Sequence, residues 1–178
     1  MDIGSSPAAT QAATWVSPRC SRMMSHARHS WPTGCPGQGC EAGFSSDRVL
    51  ANRFIYHFTQ PARGDIVVFN TPPQAQERCG AGGVFVKRIV AVPGDTWEQR
   101  NGFVYINGRK LEEPYIRPNR RDLNSTYPAR KIEAGNYFMM GDNRTSSCDS
   151  RVWGTVTRDQ LIGKVFFVYW PPNRISIP

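Results

Sequence analysis

The hydrophobic pattern of the chain changes at Asp47. Residues 1–46 are rich in Ala, Ser, Pro, Gly and Cys, show neither a helical nor a strand period, and contain the breaker run WPTGCPGQG at 31–39. A segment of this composition buries too little apolar surface to offset its conformational entropy. We therefore predict a disordered or poorly packed arm over residues 1–46 and one folded domain over residues 47–178.

Beyond the arm, short β-branched and aromatic runs alternate with turn signals. An Asn-Gly pair inside FVYINGRKL (103–111) is typical of a β-hairpin. Residues 112–134 are polar and proline-rich and are predicted to form a long connecting segment, an excursion from the sheets. We predict a mainly β fold of coiled antiparallel sheets, arranged as a sandwich or as a small, partly closed β-barrel. The other runs with strand character are RVLANRFIY (48–56), GDIVVF (64–69), GVFVKRIVAVPGD (83–95), GNYFMMGD (135–142) and LIGKVFFVYW (161–170).

Charge and cysteine content narrow the classes of partner. The formal net charge is +8, and all of it lies beyond residue 47, because the first 47 residues carry three basic and three acidic side chains. A basic domain suits anionic headgroups or nucleic acid, although a merely soluble basic surface explains the charge equally well. We find no recognition helix or stacking motif, so nucleic acid is not expected as a partner. The five cysteines include no CxxC pair and lie apart from the histidines, so a zinc site is not expected and any disulfide pairing stays open.

Lys87 lies inside the apolar run VFVKRIVAV. Strand alternation places Phe85 and Ile89 on its face and Arg88 on the opposite face, which is also largely apolar. One interpretation is a gatekeeper lysine on an edge strand, which opposes aggregation. The other is a general base, because burial among apolar side chains lowers the pKa of a lysine from its usual value of about 10.4. This role requires Lys87 to be hydrogen-bonded by a neutral hydroxyl and not paired with a carboxylate.

The stretch GDNRTSSCDSRVWG, which follows the apolar YFMM, supplies groups that suit such a lysine. Ser147 can offer a hydroxyl to the amine. Asp149 and Arg151 are two positions apart, so in an extended segment they point the same way and can form an ion pair. Asp142 and Arg144 share that spacing. The alternative interpretation is a polar turn without chemistry.

In this order along the chain, GDIVVF, FVKRIVAVPGD, an Asn-Gly hairpin and MMGDNRTSSCDSRVWG resemble the type I signal peptidases over residues 47–178. Members of that family are membrane-anchored serine proteases with a mostly β catalytic domain, and they cut signal peptides from secreted proteins with a Ser–Lys dyad. The resemblance implies that Lys87 is the general base and that Ser147 orients it. It also implies a supporting shell made of Asp142, Arg144, Asp149, Arg151 and Arg88.

The same resemblance implies the partners and the location. The substrates are expected to be secreted preproteins, with small side chains before the cut, and no cofactor or metal is expected. The catalytic domain is expected to act as a monomer at the lipid surface, on the extracytoplasmic side of the cell membrane. The chain contains no apolar run of about 18 residues, so we expect either that the protein is soluble as given or that the membrane anchor is missing from this version of the chain.

The family's nucleophile motif, Ser-Met-x-Pro-Thr-Leu, does not occur, and its nearest echo is SRMMSHAR (21–28). Codons for Ser-His-Ala-Arg can read Pro-Thr-Leu when they are shifted by one nucleotide. We therefore hypothesise that the chain before about residue 40 is partly read out of frame. The nucleophile then falls at Arg22, and the adjacent Ser21 is the best hydroxyl candidate in the present sequence. Sequencing the DNA across codons 15–45 tests this hypothesis.

Two other functions remain open from the sequence. A cytoplasmic self-cleaving repressor-type protease shares a Ser–Lys dyad and a similar β core, although the DSRVWG ending favours the signal peptidases. A catalytically inactive β domain that binds peptide or anionic lipid is consistent with the missing nucleophile motif. Cleavage of a preprotein that is lost in Lys87→Ala supports the enzyme, whereas binding without cleavage supports the inactive domain.

Overall fold

The computed structural model describes residues 48–80, 82–170 and 172–177, so the predicted arm and Ser21 lie outside the described residues. Ten strands and three short helices form the described part. The strands are β1 (Arg48–Asn52), β2 (Ile66–Asn70), β3 (Val84–Ala91), β4 (Thr96–Arg100), β5 (Phe103–Ile106), β6 (Arg109–Lys110), β7 (Tyr127–Lys131), β8 (Asn136–Met140), β9 (Val156–Thr157) and β10 (Leu161–Trp170). The helices are α1 (Ile55–Phe58), α2 (Pro73–Cys79) and α3 (Ser150–Trp153), and 3-10 turns lie at Pro118–Arg120, Arg158–Gln160 and Pro172–Arg174.

The strands form two antiparallel sheets. The larger sheet has the order β1-β10-β2-β3-β8-β9, and the smaller has the order β6-β5-β4-β7. The predicted mainly β fold with antiparallel sheets is therefore confirmed. Among the described strands, β1 and β9 remain edges of the larger sheet and β6 and β7 edges of the smaller one, so neither sheet closes on itself.

Strand β8 packs into two hydrophobic cores at once. Its Tyr137 and Met139 belong to one core, and its Phe138 and Met140 belong to the other. This division follows from strand geometry, because successive side chains point to opposite faces. Strand β3 is shared in the same way, since Ile89 enters the first core while Val90 and Ala91 enter the second. The apolar character of both faces of β3 thus reflects its position between two cores.

Several elements differ from those predicted. The run at 48–56 is not one strand, because the Oδ1 atom of Asn52 accepts hydrogen bonds from the backbone N–H groups of Phe54 (2.8 Å) and Ile55 (3.1 Å) and turns the chain into α1. Strand β4 was not predicted because its sequence, TWEQR, is largely polar. The predicted excursion contains β7, which pairs with β4.

The helices of the described ranges are all short, and α2 has seven residues. It begins at Pro73, where a proline fits because the first helical N–H needs no partner, and Gly80 ends it with a positive φ of 64°. None of the helices described is long and apolar enough to span a bilayer.

Candidate active site

Lys87 and Ser147 meet where β3 passes the loop that follows β8. The Nζ atom of Lys87 lies 2.8 Å from the Oγ atom of Ser147 and donates a hydrogen bond to it. Gly141 permits this approach, since a Cβ atom there would lie 2.7 Å from the Cβ of Ser147 and 3.3 Å from the Nζ of Lys87. A side chain at position 141 would therefore displace one partner of the pair.

The surroundings of Lys87 favour its neutral form. Burial lowers the pKa of Lys87 below its usual value, and the attraction of Asp149 opposes this shift without cancelling it. Arg151 lowers the pKa further, whereas Asp142 raises it. Within the part of the chain that the structure describes, no carboxylate forms an ion pair with Lys87, and its hydrogen-bond partner is the neutral hydroxyl of Ser147. An amine in this environment is neutral, and so able to accept a proton, at a lower pH than a lysine in water.

We expect Lys87→Met to raise the free energy of unfolding at neutral pH. The folded pKa of Lys87 lies below its unfolded value, so between these two values the unfolded chain binds more protons and wild-type stability rises with pH. The advantage of Lys87→Met should therefore be largest below the folded pKa and shrink towards about pH 10.4. Urea unfolding at several pH values measures it, with the exposed Lys131→Met as the matched control. A difference that does not change with pH contradicts the expectation.

Asp149 and Arg151 form a buried ion pair beneath the loop. The two Asp149 oxygens accept hydrogen bonds from Nε and Nη2 of Arg151, each at 2.8 Å, and one accepts from the backbone N–H of Gly141 at 3.1 Å. The Nη2 group of Arg151 also donates to the carbonyl oxygens of Arg144 (2.9 Å) and Ser147 (3.3 Å). The pair therefore fixes the backbone on both sides of the Ser147 hydroxyl. It does so at the start of a helix rather than in an extended segment, because Asp149 is the N-cap of α3.

The equal spacing of Asp142 and Arg144 does not produce a second pair of the same kind, because each binds another residue. The register of β3 against β8 sets Arg88 opposite Met140, which brings Arg88 beside Asp142. Arg88 binds both Asp142 oxygens, with Nε–Oδ1 at 3.0 Å and Nη2–Oδ2 at 2.8 Å. Arg144 instead turns inward and forms a buried ion pair with Glu113.

The structure thus gathers most of the predicted site residues around one loop. Glu113 was missed, because it is 31 positions from Arg144 and no local pattern links the two. Ser21 is not among the described residues, and the predicted catalytic roles remain predictions. The described segments contain no cluster of three or more His, Cys, Asp or Glu side chains that could hold a metal ion. The predicted residues that lie together here are Lys87, Arg88, Asp142, Arg144, Ser147, Asp149 and Arg151.

A disulfide joins Cys79 at the end of α2 to Cys148, the residue after Ser147. The two Cα atoms are 6.3 Å apart, and the cysteines are 69 positions apart in sequence. Arg78 adds a hydrogen bond from Nη1 to the carbonyl oxygen of Val152. Helix α2 is thereby attached to the loop that carries Ser147.

We expect loss of this disulfide to lower the free energy of unfolding by up to about 4 kcal/mol, because the crosslink restricts the unfolded chain over a 69-residue separation. Urea unfolding of Cys79→Ser/Cys148→Ser, compared with the wild-type protein, measures the loss. A reducing agent should lower the stability of the wild-type protein to that of the double variant and leave the variant unchanged. Equal stability of the oxidised wild-type protein and the variant contradicts the expectation.

Most of the chain matches the model of one protein family. The family model described as "Signal peptidase, peptidase S26" matches residues 32–170. The match includes β3, β8 and the loop that carries Ser147.

Individual relatives have related names. The chain is 41% identical over 130 residues to "Probable signal peptidase I-1" of Synechocystis sp., covering 72% of this chain and 64% of that protein. It is 37% identical to "Signal peptidase I" of Leptolyngbya laminosa, covering 74% and 64%, and 36% identical to "Thylakoidal processing peptidase 1, chloroplastic" of Arabidopsis thaliana, covering 73% and 38%. A crystal structure of a signal peptidase I from Enterococcus faecalis V583 aligns with a TM-score of 0.48 and 30% identity, over 60% of this chain and 97% of that one. The chain thus spans less than two thirds of the length of the two bacterial relatives.

Proposed function

Because the chain belongs to the signal peptidase family, peptidase S26, we propose that it is a serine endopeptidase that cleaves N-terminal signal peptides from secreted preproteins. One observation carries the proposal. The Lys87 amine lies 2.8 Å from the Ser147 hydroxyl, and burial lowers the pKa of this amine. In the described structure no carboxylate forms an ion pair with Lys87. This is the environment that a lysine needs to act as a general base.

In the proposed mechanism, neutral Lys87 takes the proton of a nucleophilic serine as its Oγ atom attacks the scissile carbonyl. The nucleophile is assigned to the segment before Arg48, and Ser21 is its candidate in this sequence. Lys87 then gives the proton to the leaving amine, and an acyl-enzyme remains. Water, deprotonated by Lys87, then attacks the ester carbonyl; the serine Oγ leaves and takes the proton back from Lys87, and the second product is released with its new carboxyl group. Ser147 orients the amine through both steps.

The ion pairs around the loop have a supporting role in this proposal. Asp149 and Arg151 hold the carbonyl group of Ser147 and the amide of Gly141, so the hydroxyl stays aimed at Lys87. Arg88 neutralises Asp142, which otherwise favours a charged lysine. Both pairs therefore protect the neutral state of the base.

The first half of β3 is proposed as the substrate-binding edge. Val84 to Lys87 pair with β2, whereas the pairing of β3 with β8 begins only at Arg88. In the described structure no strand pairs with Val84–Lys87 on the side opposite β2, and Val86 is 39% exposed. An extended peptide can add to such an edge by main-chain hydrogen bonds, which would place its scissile bond near Lys87.

We place the enzyme at a lipid surface on the extracytoplasmic side of the membrane. Support for the lipid surface comes from the net charge of +8 and from large apolar side chains that face solvent, such as Phe54, Phe58 and Phe166, while the side of the membrane is taken from the family resemblance. Of these, Phe58 is 84% exposed. The monomeric state expected from the sequence stays a prediction.

A cleavage assay tests the proposal. The purified chain is incubated with a preprotein in detergent micelles, and the products are identified by mass spectrometry. We expect a product shortened by the length of its signal peptide. Binding of the preprotein without cleavage contradicts the proposed function and supports an inactive peptide-binding domain.

A further inference from the structure

Glu113 reaches the Ser147 loop from the other sheet. It follows β6, and its side chain and that of Arg144 are each 1% exposed. Arg144 donates hydrogen bonds from Nη2 and Nη1 to the two Glu113 oxygens, the second at 3.4 Å, and from Nε to the carbonyl oxygen of Gly141 at 3.1 Å. Glu113 is thus connected through one arginine to the residue against which Ser147 packs.

Tyr115 contacts the other side of the site. The guanidinium of Arg88 lies 3.9 Å from the centroid of the Tyr115 ring, and the same guanidinium binds Asp142 through two hydrogen bonds. The Tyr115 hydroxyl lies 3.4 Å from an oxygen of Glu113, to which it donates a hydrogen bond. Burial raises the pKa of Tyr115 to about 12, so the ring stays neutral. Tyr115 therefore acts on Arg88, the strand neighbour of Lys87, by stacking.

Glu113 is itself anchored to the smaller sheet. Arg121 donates from Nη1 to Glu113 at 2.9 Å and to the carbonyl oxygen of Gly102, in the turn between β4 and β5, at 3.1 Å. Burying one carboxylate between two arginines costs more desolvation than filling the same space with apolar side chains. This cost suits a role for the Glu113 cluster in fixing the geometry of the loop rather than in adding stability.

We propose that Glu113 and Tyr115 form a brace that is anchored on the smaller sheet. The brace holds the Gly141–Ser147 loop and Arg88 in place, so that the Lys87 amine and the Ser147 hydroxyl stay within hydrogen-bond distance. Both are positioning residues, since neither touches Lys87 or Ser147 in the contacts above. The assignment rests on the proposed function for its catalytic consequence. Its geometric consequence, the hydrogen-bonded contact of Lys87 with Ser147, does not depend on cleavage.

Glu113→Gln and Tyr115→Leu test the two residues of the brace separately. In each variant we expect kcat for preprotein cleavage to fall by about 10- to 100-fold with KM changed by less than about twofold, because geometry and not substrate contact is lost. Loosening of the loop admits water, so the pKa of Lys87, followed by NMR of its labelled side chain, should rise by about one unit. The charged groups nearest Lys87 in this titration are Asp149, Arg151 and Asp142, which the variants retain.

Matched variants separate positioning from general stability. Glu112→Gln alters the adjacent, exposed carboxylate and should match the wild-type protein in kcat and in the Lys87 titration. Tyr115→Phe keeps the ring over Arg88 and should restore most of the kcat that Tyr115→Leu loses. If Glu113→Gln does not fold because two arginines lose their partner, Tyr115→Leu decides, since it leaves no new buried charge.

The proposal is overturned if the folded variants unfold at lower temperature but keep the wild-type kcat and the wild-type titration of Lys87. A merely structural role predicts that result. If the wild-type chain cleaves no preprotein, the proposed function fails, and the Lys87 titration in the same variants then supports or overturns the brace by itself.

Discussion

Replacement of Lys87 by alanine is expected to lower kcat/KM for a preprotein by about 10²–10⁴-fold, the usual contribution of a general base. Alanine removes the amine that lies 2.8 Å from Ser147, and no other lysine is hydrogen-bonded to that hydroxyl in the described structure. Lys87→Arg should lose a similar factor although it keeps a positive charge, because a guanidinium stays protonated. The measurement is the initial rate of product formation at several preprotein concentrations.

The matched control is Lys131→Ala, which removes an exposed lysine of β7. It should retain the wild-type rate. Wild-type rates in Lys87→Ala would refute a lysine general base, and equal losses in both variants would show that the assay reports surface charge.

Replacement of Asp149 by alanine is expected to lower the free energy of unfolding by about 3–5 kcal/mol, as for other broken buried ion pairs. The variant leaves the Arg151 side chain, which is 4% exposed, without its carboxylate. It also removes the acceptor of the Gly141 N–H and the N-cap of α3. Asp149→Asn should lose less, because an amide oxygen can still accept hydrogen bonds. Urea unfolding of the three proteins measures both losses.

Asp159→Ala, at an exposed aspartate, serves as the control and should change stability by less than about 0.5 kcal/mol. A loss in Asp149→Ala no larger than that of Asp159→Ala would show that the Asp149–Arg151 pair contributes no net stability.

The sequence predicted the elements whose signal is local. The β-branched run around Lys87 and the Asn-Gly pair at 107–108 correspond to β3 and to the β5–β6 hairpin. Polar β4 lacked that signal, and its strand structure depends on pairing with β5 and β7. The turn after Asn52 was hidden inside an apolar run, because one side-chain oxygen decides it.

The site shows the same division. The Asp149–Arg151 pair is local and was anticipated, although it forms at a helix N-cap and not in the extended segment assumed, whereas the partner of Asp142 is set by the register of β3 against β8. Glu113 could not be found at all from the sequence, since its contact with Arg144 exists only where the two sheets meet. Long-range register and sheet packing thus decide which charges pair, and single-sequence patterns do not encode them.

The alternating side chains of β8 couple the two hydrophobic cores, because one strand contributes residues to both. Heat that loosens the packing around Phe138 also withdraws support from Met139 on the opposite face, and Met139 pairs with Ile89 only two residues from Lys87. We therefore expect the two sheets to unfold together in a single transition, as small domains usually do. On warming, we therefore expect the contact between Lys87 and Ser147 to be lost in one step, together with the fold.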